Sequence, residues 1–298
     1  METPPAERPR FSVVPLRNGA WSLKDQAVQE VCHPAVGPEE EARRLYVEQL
    51  RLRERSLQQG SMVVWDVGLG GGANALVALR SLQTVAVRLH LVSFDRSLEA
   101  FRFAWEQRAL FPYFSGLEAI AGARLERPEE ILERRCGAME LRWELRLGDF
   151  AGLVRQGGDA RLAAPDLLFY DPYSPEANPE MWTLPHFEAL RSALAPDRPA
   201  LLATYSRSSA VRVALLLAGF FVGIGRSTGA KSETTLAASH PALLAEPLPP
   251  AWLARVARSH AADPMVEPVF RRRPLQPGWL ERLRQHPQFL TAGSGPAH

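Results

Sequence analysis

The sequence predicts an α/β fold built on a mostly parallel sheet, and three observations carry that prediction. Short apolar runs alternate with amphipathic stretches from residue 62 to residue 238. The first run, 62–67, passes directly into the glycine cluster Gly68-Leu69-Gly70-Gly71-Gly72. Three later runs end on carboxylates, at Asp95, Asp149 and Asp171. Repeated strand–helix units of this length give parallel strands covered on both faces. In such sheets the carboxyl ends of the strands form the ligand crevice.

Element by element, residues 1–36 read as an extended or irregular lead-in, with turn residues at Arg17-Asn18-Gly19. Pro38 and the acidic residues Glu39, Glu40 and Glu41 suit the first turn of a helix, where N–H groups are unpaired; it runs to about Gln59 and stops at Gly60. Its apolar face is Ala42, Tyr46, Leu50 and Leu57, opposite Arg44, Arg51 and Arg55. Then come strand 62–67, helix 73–82, strand 88–94 ending in Asp95, and helix 98–110. Residues 116–137 are charged and read as a helical insertion. Strand 141–147 ends in Gly148-Asp149, and strand 166–170 flows into Asp171-Pro172-Tyr173. Helix 180–194, strand 199–205 and helix 206–218 follow. Strands 220–224 and 233–238 have a short connection, which predicts an antiparallel hairpin closing one edge. Residues 241–298 hold 10 of the 25 prolines and read as a loose tail with short helical pieces around Trp252 and Trp279. The chain thus divides into 1–60, 61–240 and 241–298.

Composition narrows the class. With 298 residues, 46% of them apolar, the chain can bury a core without covalent staples. Its two cysteines, Cys32 and Cys136, lie far apart and in no metal-ligand spacing. That excludes a disulfide scaffold and a cysteine-rich zinc site, and it favours a reducing, cytoplasmic compartment. The first ten residues are polar and proline-rich, unlike a signal peptide, and the longest apolar stretch, 210–224, is interrupted by Arg212 and Gly219. No membrane partner is expected. A net charge of +2 predicts no polyanionic partner by itself.

A strand ending in glycines before a helix presents backbone N–H groups and a helix N-terminus to a ligand. The loop at Gly68, Gly70 and Gly72 fits both the S-adenosylmethionine pattern [DE]-x-G-x-G-x-G and a dinucleotide pattern G-x-G-x-x-[GA]. Asp66, two positions before the first glycine, favours S-adenosylmethionine, where such an acid lies near the amino-acid end of the cofactor. Asp95 suits ribose hydroxyls in either case. Asp149 reads equally as a partner for the adenine amino group and as an N-cap for the next helix.

Asp171-Pro172-Tyr173 resembles the [DN]-P-P-[YF] motif of enzymes that methylate exocyclic amines. A carboxylate there holds the N–H bonds and aims the nitrogen lone pair, while the aromatic ring contacts a flat substrate or covers the sulfonium. An alkylammonium titrates near ~10 and an aspartate near ~4, so Asp171 positions the amine rather than deprotonating it alone. An aspartate and proline simply ending a strand is the plainer alternative.

The longer run Asp171-Pro172-Tyr173-Ser174-Pro175-Glu176-Ala177-Asn178-Pro179-Glu180-Met181-Trp182 resembles the D-[GP]-[FY]-[SA]-P-x-x-N-P-[DE]-[ML]-W signature of MnmC-type tRNA methyltransferases. Gly70, Gly72, Ala73 and Asn74, the stretch ending in Asp95, Gly148-Asp149, and Leu202 to Ser206 extend the likeness, as does the stretch from Gly219 to Lys231. The resemblance covers about residues 19–240. It implies a class I S-adenosylmethionine-dependent methyltransferase: Rossmann-like, with a seven-stranded, mostly parallel sheet and an antiparallel terminal hairpin. It implies methylation of 5-aminomethyluridine, often 2-thiolated, at the tRNA wobble position, with Asp171 catalytic and Pro172, Tyr173 and Lys231 at the substrate. Asp66, Gly68, Gly70, Gly72, Asn74, Asp95 and Asp149 would hold the cofactor; no metal and no flavin are implied.

Two departures bear on the substrate. Many members have glycine where this chain has Pro172, and the terminal hairpin carries only Arg226 and Lys231 as basic residues. The 58 residues from 241 to 298 leave no room for the flavin oxidase domain of bifunctional members, so a separate oxidase would be a partner. Candidate tRNA contacts are Arg44, Arg51, Arg55, Arg134, Arg135 and Arg271 to Arg273, each of which reads first as part of a solvated face. Rival readings are a small-amine or nucleobase methyltransferase and a catalytically silent RNA- or protein-binding homologue. A NAD(P) oxidoreductase would need a hydride-transfer constellation, and no His or Lys is placed to supply one.

Overall fold

The structure, a computed structural model, describes residues 9–157, 162–227 and 232–290. Lys231 and the tip of the terminal hairpin lie outside the described residues. The lead-in is a three-stranded antiparallel sheet, β1 (Phe11–Pro15), β2 (Trp21–Asp25) and β3 (Glu30–Val31). Of the two readings, extended or irregular, the extended one describes it: β1 and β2 pair over five residues across the Arg17–Gly19 turn. They turn Phe11, Ser22, Leu23 and Asp25 inward, a mixed pattern with little periodic signal.

The helix expected over 38–59 is present in three pieces: α1 (Pro38–Ala42), a π-helical stretch (Arg43–Glu48) and α2 (Leu52–Gln59). Ala42, Tyr46 and Leu50 are buried as their spacing predicts, but Leu57 is 62% exposed. The π-helical stretch adds a residue to the turn, and Arg51 sits in the left-handed region at φ +52°, so the apolar stripe loses phase before α2.

The main body then alternates as its pattern predicts, through β4 (Ser61–Val67), α3 (Ala73–Leu82), β5 (Arg88–Asp95), α4 (Glu99–Glu106), α5 (Glu118–Glu126), β6 (Leu132–Cys136), β7 (Met139–Leu147), α6 (Phe150–Arg155), β8 (Leu167–Tyr170), α7 (Leu184–Ser192), β9 (Leu201–Thr204), α8 (Ser209–Leu217), β10 (Phe221–Gly225) and β11 (Thr234–Ala238). The sheet order is β10-β11-β9-β8-β4-β5-β7-β6, with β4, β5, β7, β8 and β9 parallel to one another. The terminal hairpin closes one edge, β11 pairing antiparallel with β9.

The sheet has eight strands rather than seven. The extra strand is β6, within the region read as a helical insertion; α5 fills the first half of that region and β6 the second. Its Glu133, Arg134 and Arg135 are exposed along the sheet edge, so charge that read as helical surface is the charge that keeps an edge strand from pairing with another chain.

Apolar residues of β4 alternate between two cores. Met62 and Val64 join one with α3, α1 and the π-helical stretch, while Val63, Trp65 and Val67 join the other with α7 and α8. A central parallel strand buried on both faces reads as a continuous apolar run, which is why it was legible. The segment after Pro241 carries α9 (Ala251–Ala257), α10 (Pro277–Arg284) and α11 (Pro287–Leu290), with Trp252, Leu283 and Phe289 buried in the second core. Gln288 donates to the carbonyls of Val222 and Leu248 and accepts from Val222 N–H, tying this tail to β10.

Candidate active site

The carboxyl ends of β4, β5, β7, β8 and β9 open into a cavity of about 730 Å³, within the size range of cofactor sites. Gly68, Gly70, Asp95, Asp149, Asp171, Pro172 and Tyr173 all line it, so seven of the residues picked out by sequence converge. Its opposite wall comes from the lead-in: Arg10, Ser22, Leu23, Glu30, Cys32 and His33, with Glu41 of α1. These were not anticipated. A residue in an irregular-looking segment gives no periodicity from which to place it.

The glycine loop leaves β4 and passes so close to the end of β8 that a Cβ on Gly68 would lie 2.5 Å from the Asp171 carbonyl oxygen. Gly68 also adopts φ +95°. Only glycine satisfies both conditions. The Gly70 N–H donates to Asp95 Oδ2 at 2.8 Å, which ties the loop to the end of β5. Burial raises the Asp95 carboxyl above its ordinary range, and N–H donors from Gly70, Ser97 and Arg96 partly offset it.

Asp171 is held by α3, where the Asn74 side chain donates to its Oδ2 at 2.8 Å. Asn74 is buried and does not line the cavity; its contact in this structure is with the aspartate. Gly72 also lies behind the cavity wall, where a Cβ would strike the Phe101 ring at 2.5 Å. Pro172 accepts from the Tyr205 hydroxyl at 3.0 Å, and the carbonyl of Tyr173 accepts from Trp182 Nε1 at 2.8 Å. The aspartate–proline–tyrosine turn is therefore fixed from three directions.

The lead-in latches onto this turn. The Tyr173 hydroxyl donates to Asp25 Oδ2 at 3.0 Å, and the Ser174 hydroxyl donates to Glu30. Arg10 bridges Asp25 and Glu99 at the start of α4. Burial pushes the Asp25 carboxyl upward, but Arg10, the Ala27 N–H and the Tyr173 hydroxyl outweigh it and hold the group below the usual range. Burial raises the Tyr173 phenol, so it stays a neutral donor.

Asp149 begins α6 but makes no capping bond; its side chain is 58% exposed and lies 3.7 Å from Arg155. It stands at the N-terminus of α6 and also lines the cavity.

Asp66 lies beneath the crevice rather than in it. It is fully buried, Oδ2 accepts from Ser93 at 2.8 Å, and Oδ1 has no hydrogen-bond partner. Burial pushes its carboxyl up to about 8, with Ser93 opposing and Asp171 and Asp95 reinforcing the shift. A folded-state value above the unfolded one stabilises the fold fully at low pH and loses that contribution as pH rises towards 8. Asp66→Asn is therefore expected to flatten the fall in melting temperature between pH 5 and pH 9, measured without cofactor. An unchanged pH slope would mean that Asp66 is ionised in the folded protein.

Among the candidate RNA-contacting arginines, Arg44 pairs with Glu40, and Arg272 lies 3.6 Å from Glu176 in the loop after Tyr173. Among the described residues no group of three or more His, Cys, Asp or Glu could hold a metal ion, and no helix is long and apolar enough to cross a membrane.

Residues 118–240 match a family model described as S-adenosyl-L-methionine-dependent methyltransferase. The bifunctional protein MnmC of Methylibium petroleiphilum, named for tRNA 5-methylaminomethyl-2-thiouridine biosynthesis, is 31% identical over 239 residues, 78% of this chain and 35% of the relative. The protein of the same name from Ectopseudomonas mendocina is 33% identical over 184 residues, 58% of this chain and 26% of the relative. This chain thus spans about a third of the length of the curated relatives it matches. The crystal structure of MnmC2 from Aquifex aeolicus superposes with a TM-score of 0.68 at 24% identity, covering 96% of this chain and 87% of that one, which shows a shared fold.

Proposed function

We propose that this chain, an S-adenosylmethionine-dependent methyltransferase similar to the MnmC proteins, methylates the primary amine of 5-aminomethyl-(2-thio)uridine at the wobble position of tRNA. The observation that supports it best is Asp171, a carboxylate fixed by Asn74 in the cavity that also receives the glycine loop and Asp95. The cavity residues suit the cofactor. The backbone of 68–72 would face its amino-acid end, Asp95 its ribose hydroxyls and Asp149 its adenine amine. Asp66, beneath the loop, would support it from below through its bond with Ser93.

When bound, the cofactor supplies an electrophilic methyl group on a sulfonium. Asp171 accepts an N–H of the acceptor amine, points its lone pair into the cavity and stabilises the ammonium that develops. Pro172 and Tyr173 give flat walls for a pyrimidine, and Tyr173 is kept in place by Asp25 and Trp182. Lys231, from the terminal hairpin, would meet the nucleic acid. Direct methyl transfer to an amine requires neither metal nor flavin. A separate oxidase or another wobble-uridine enzyme would expose the amine beforehand, and the reaction would take place in the cytoplasm.

The test is mass spectrometry of tRNA nucleosides from a deletion strain and from the same strain carrying Asp171→Ala. Accumulated 5-aminomethyl-2-thiouridine in both is the expected result. Wobble nucleosides identical to those of the parent strain would sink the reading.

A further inference from the structure

His33 lies in the lead-in, on the side of the cavity facing Asp171. Its Nε2 is 3.8 Å from Asp171 Oδ2, and its Nδ1 is 3.6 Å from Glu41 Oε1. The ring lines the cavity, yet its side chain is only 14% exposed. The backbone is in a less common conformation as well: His33 adopts φ +50°, in the left-handed region that few residues besides glycine enter, histidine being among those that do so more readily. Such conformations persist where the surroundings over-determine them, and they gather at functional sites. Three independent elements therefore meet at this imidazole: the lead-in, α1 through Glu41, and the end of β8 through Asp171.

We propose that His33, acting with Asp171, takes the proton from the acceptor amine; this rests on the amine-methylation reading above. The arriving alkylammonium has no lone pair and cannot attack a methyl group. One N–H bond breaks, its electron pair stays on nitrogen as the nucleophilic lone pair, and the proton passes to Nε2 of neutral His33. The resulting imidazolium lies between two carboxylates that favour its charge. Asp171 by itself is too weak a base for this task, while an imidazole is about two units closer to the amine. After methylation the imidazolium gives that proton up to solvent at the cavity mouth and returns to neutral imidazole.

Other titratable groups lie around Asp171 and Glu41, the two carboxylates beside the imidazole. Glu30 and Cys32 share its segment, Tyr46 follows α1, and Tyr205 follows β9. Burial raises the Cys32 thiol to about 12 and both phenols well above their ordinary range, so these three stay neutral at working pH. His33 is then the imidazole beside Asp171, the type of side chain best suited to taking up and releasing a proton.

The test compares wild type with His33→Asn. Asparagine tolerates the left-handed backbone, so the fold survives, but it cannot take a proton. The readouts are cofactor affinity by calorimetry and single-turnover methylation of tRNA bearing 5-aminomethyluridine from pH 6 to pH 9.5. In wild type the rate should climb through the imidazole range. In His33→Asn the climb should move above pH 8.5, with a loss of about 10²-fold at pH 7, recovery near pH 9.5 and an unchanged cofactor affinity. An unshifted profile, or an equal loss at every pH, overturns the proton role while leaving the substrate reading intact. A wild-type enzyme that fails to methylate this tRNA overturns both.

Discussion

Asp171→Asn is expected to slow single-turnover methyl transfer by about 10²- to 10³-fold while leaving S-adenosylmethionine affinity within about threefold of wild type. Asparagine is nearly isosteric, and its side-chain oxygen can still accept from the Asn74 amide that holds Asp171 at 2.8 Å. The local packing should therefore survive, with Tyr205 bonded to Pro172 and Trp182 to Tyr173 as before. What disappears is the negative charge facing the nitrogen as it becomes an ammonium, together with the carboxylate next to His33. Stopped reactions at saturating cofactor give the rate, and calorimetry gives the affinity. A rate within fivefold of wild type would remove Asp171 from the reacting centre. A comparable loss in both quantities would instead make it part of the cofactor's own site.

Gly68→Ala is expected to be nearly as damaging, but for a steric reason. The added Cβ would sit 2.5 Å from the Asp171 carbonyl oxygen and 2.9 Å from its carbonyl carbon, at a backbone φ of +95°. Neither neighbour is a flexible side chain that can turn aside. Either the loop or the aspartate must move, at a cost of about 2–4 kcal/mol in stability. A displacement of this kind at a reacting centre is expected to lower the rate by about 10²-fold. Gly60→Ala is the control, since Gly60 also has positive φ, at +67°, but nothing lies within 4 Å of the added carbon. It should lose about 1 kcal/mol and keep full activity. Urea denaturation and single-turnover rates on the two variants decide the matter. Equal behaviour would mean that only backbone strain counts at Gly68, not its contact with Asp171.

Much of this architecture was legible because its signals are local. A central parallel strand is apolar on both faces, a glycine loop is a contiguous run, Asp95 and Asp171 each follow directly on an apolar stretch, and Asp149 lies one glycine beyond an alternating strand. Chain order alone thus brings seven of the chosen residues to one cavity. The likeness around Asp171 to Trp182 added the substrate class, which no composition or spacing in this chain would suggest. Charge was the weaker guide. It made an edge strand, β6, look helical, and it gave no hint that Leu57 would fall out of phase beyond a π-helical stretch.

By itself, then, the sequence determined the α/β fold, the position of the glycine loop and the carboxylates at the strand ends, since each depends on residues adjacent in the chain. Only the tertiary structure decided what stands opposite them. Asn74 lies 97 positions from Asp171 and became the residue that holds it. The lead-in folded into a small sheet that places Asp25, Glu30 and His33 against the aspartate–proline–tyrosine turn. Asp66 was turned beneath the crevice, where burial raises its carboxyl. Contacts across such separations depend on how the layers pack, and no local pattern in the chain encodes that packing.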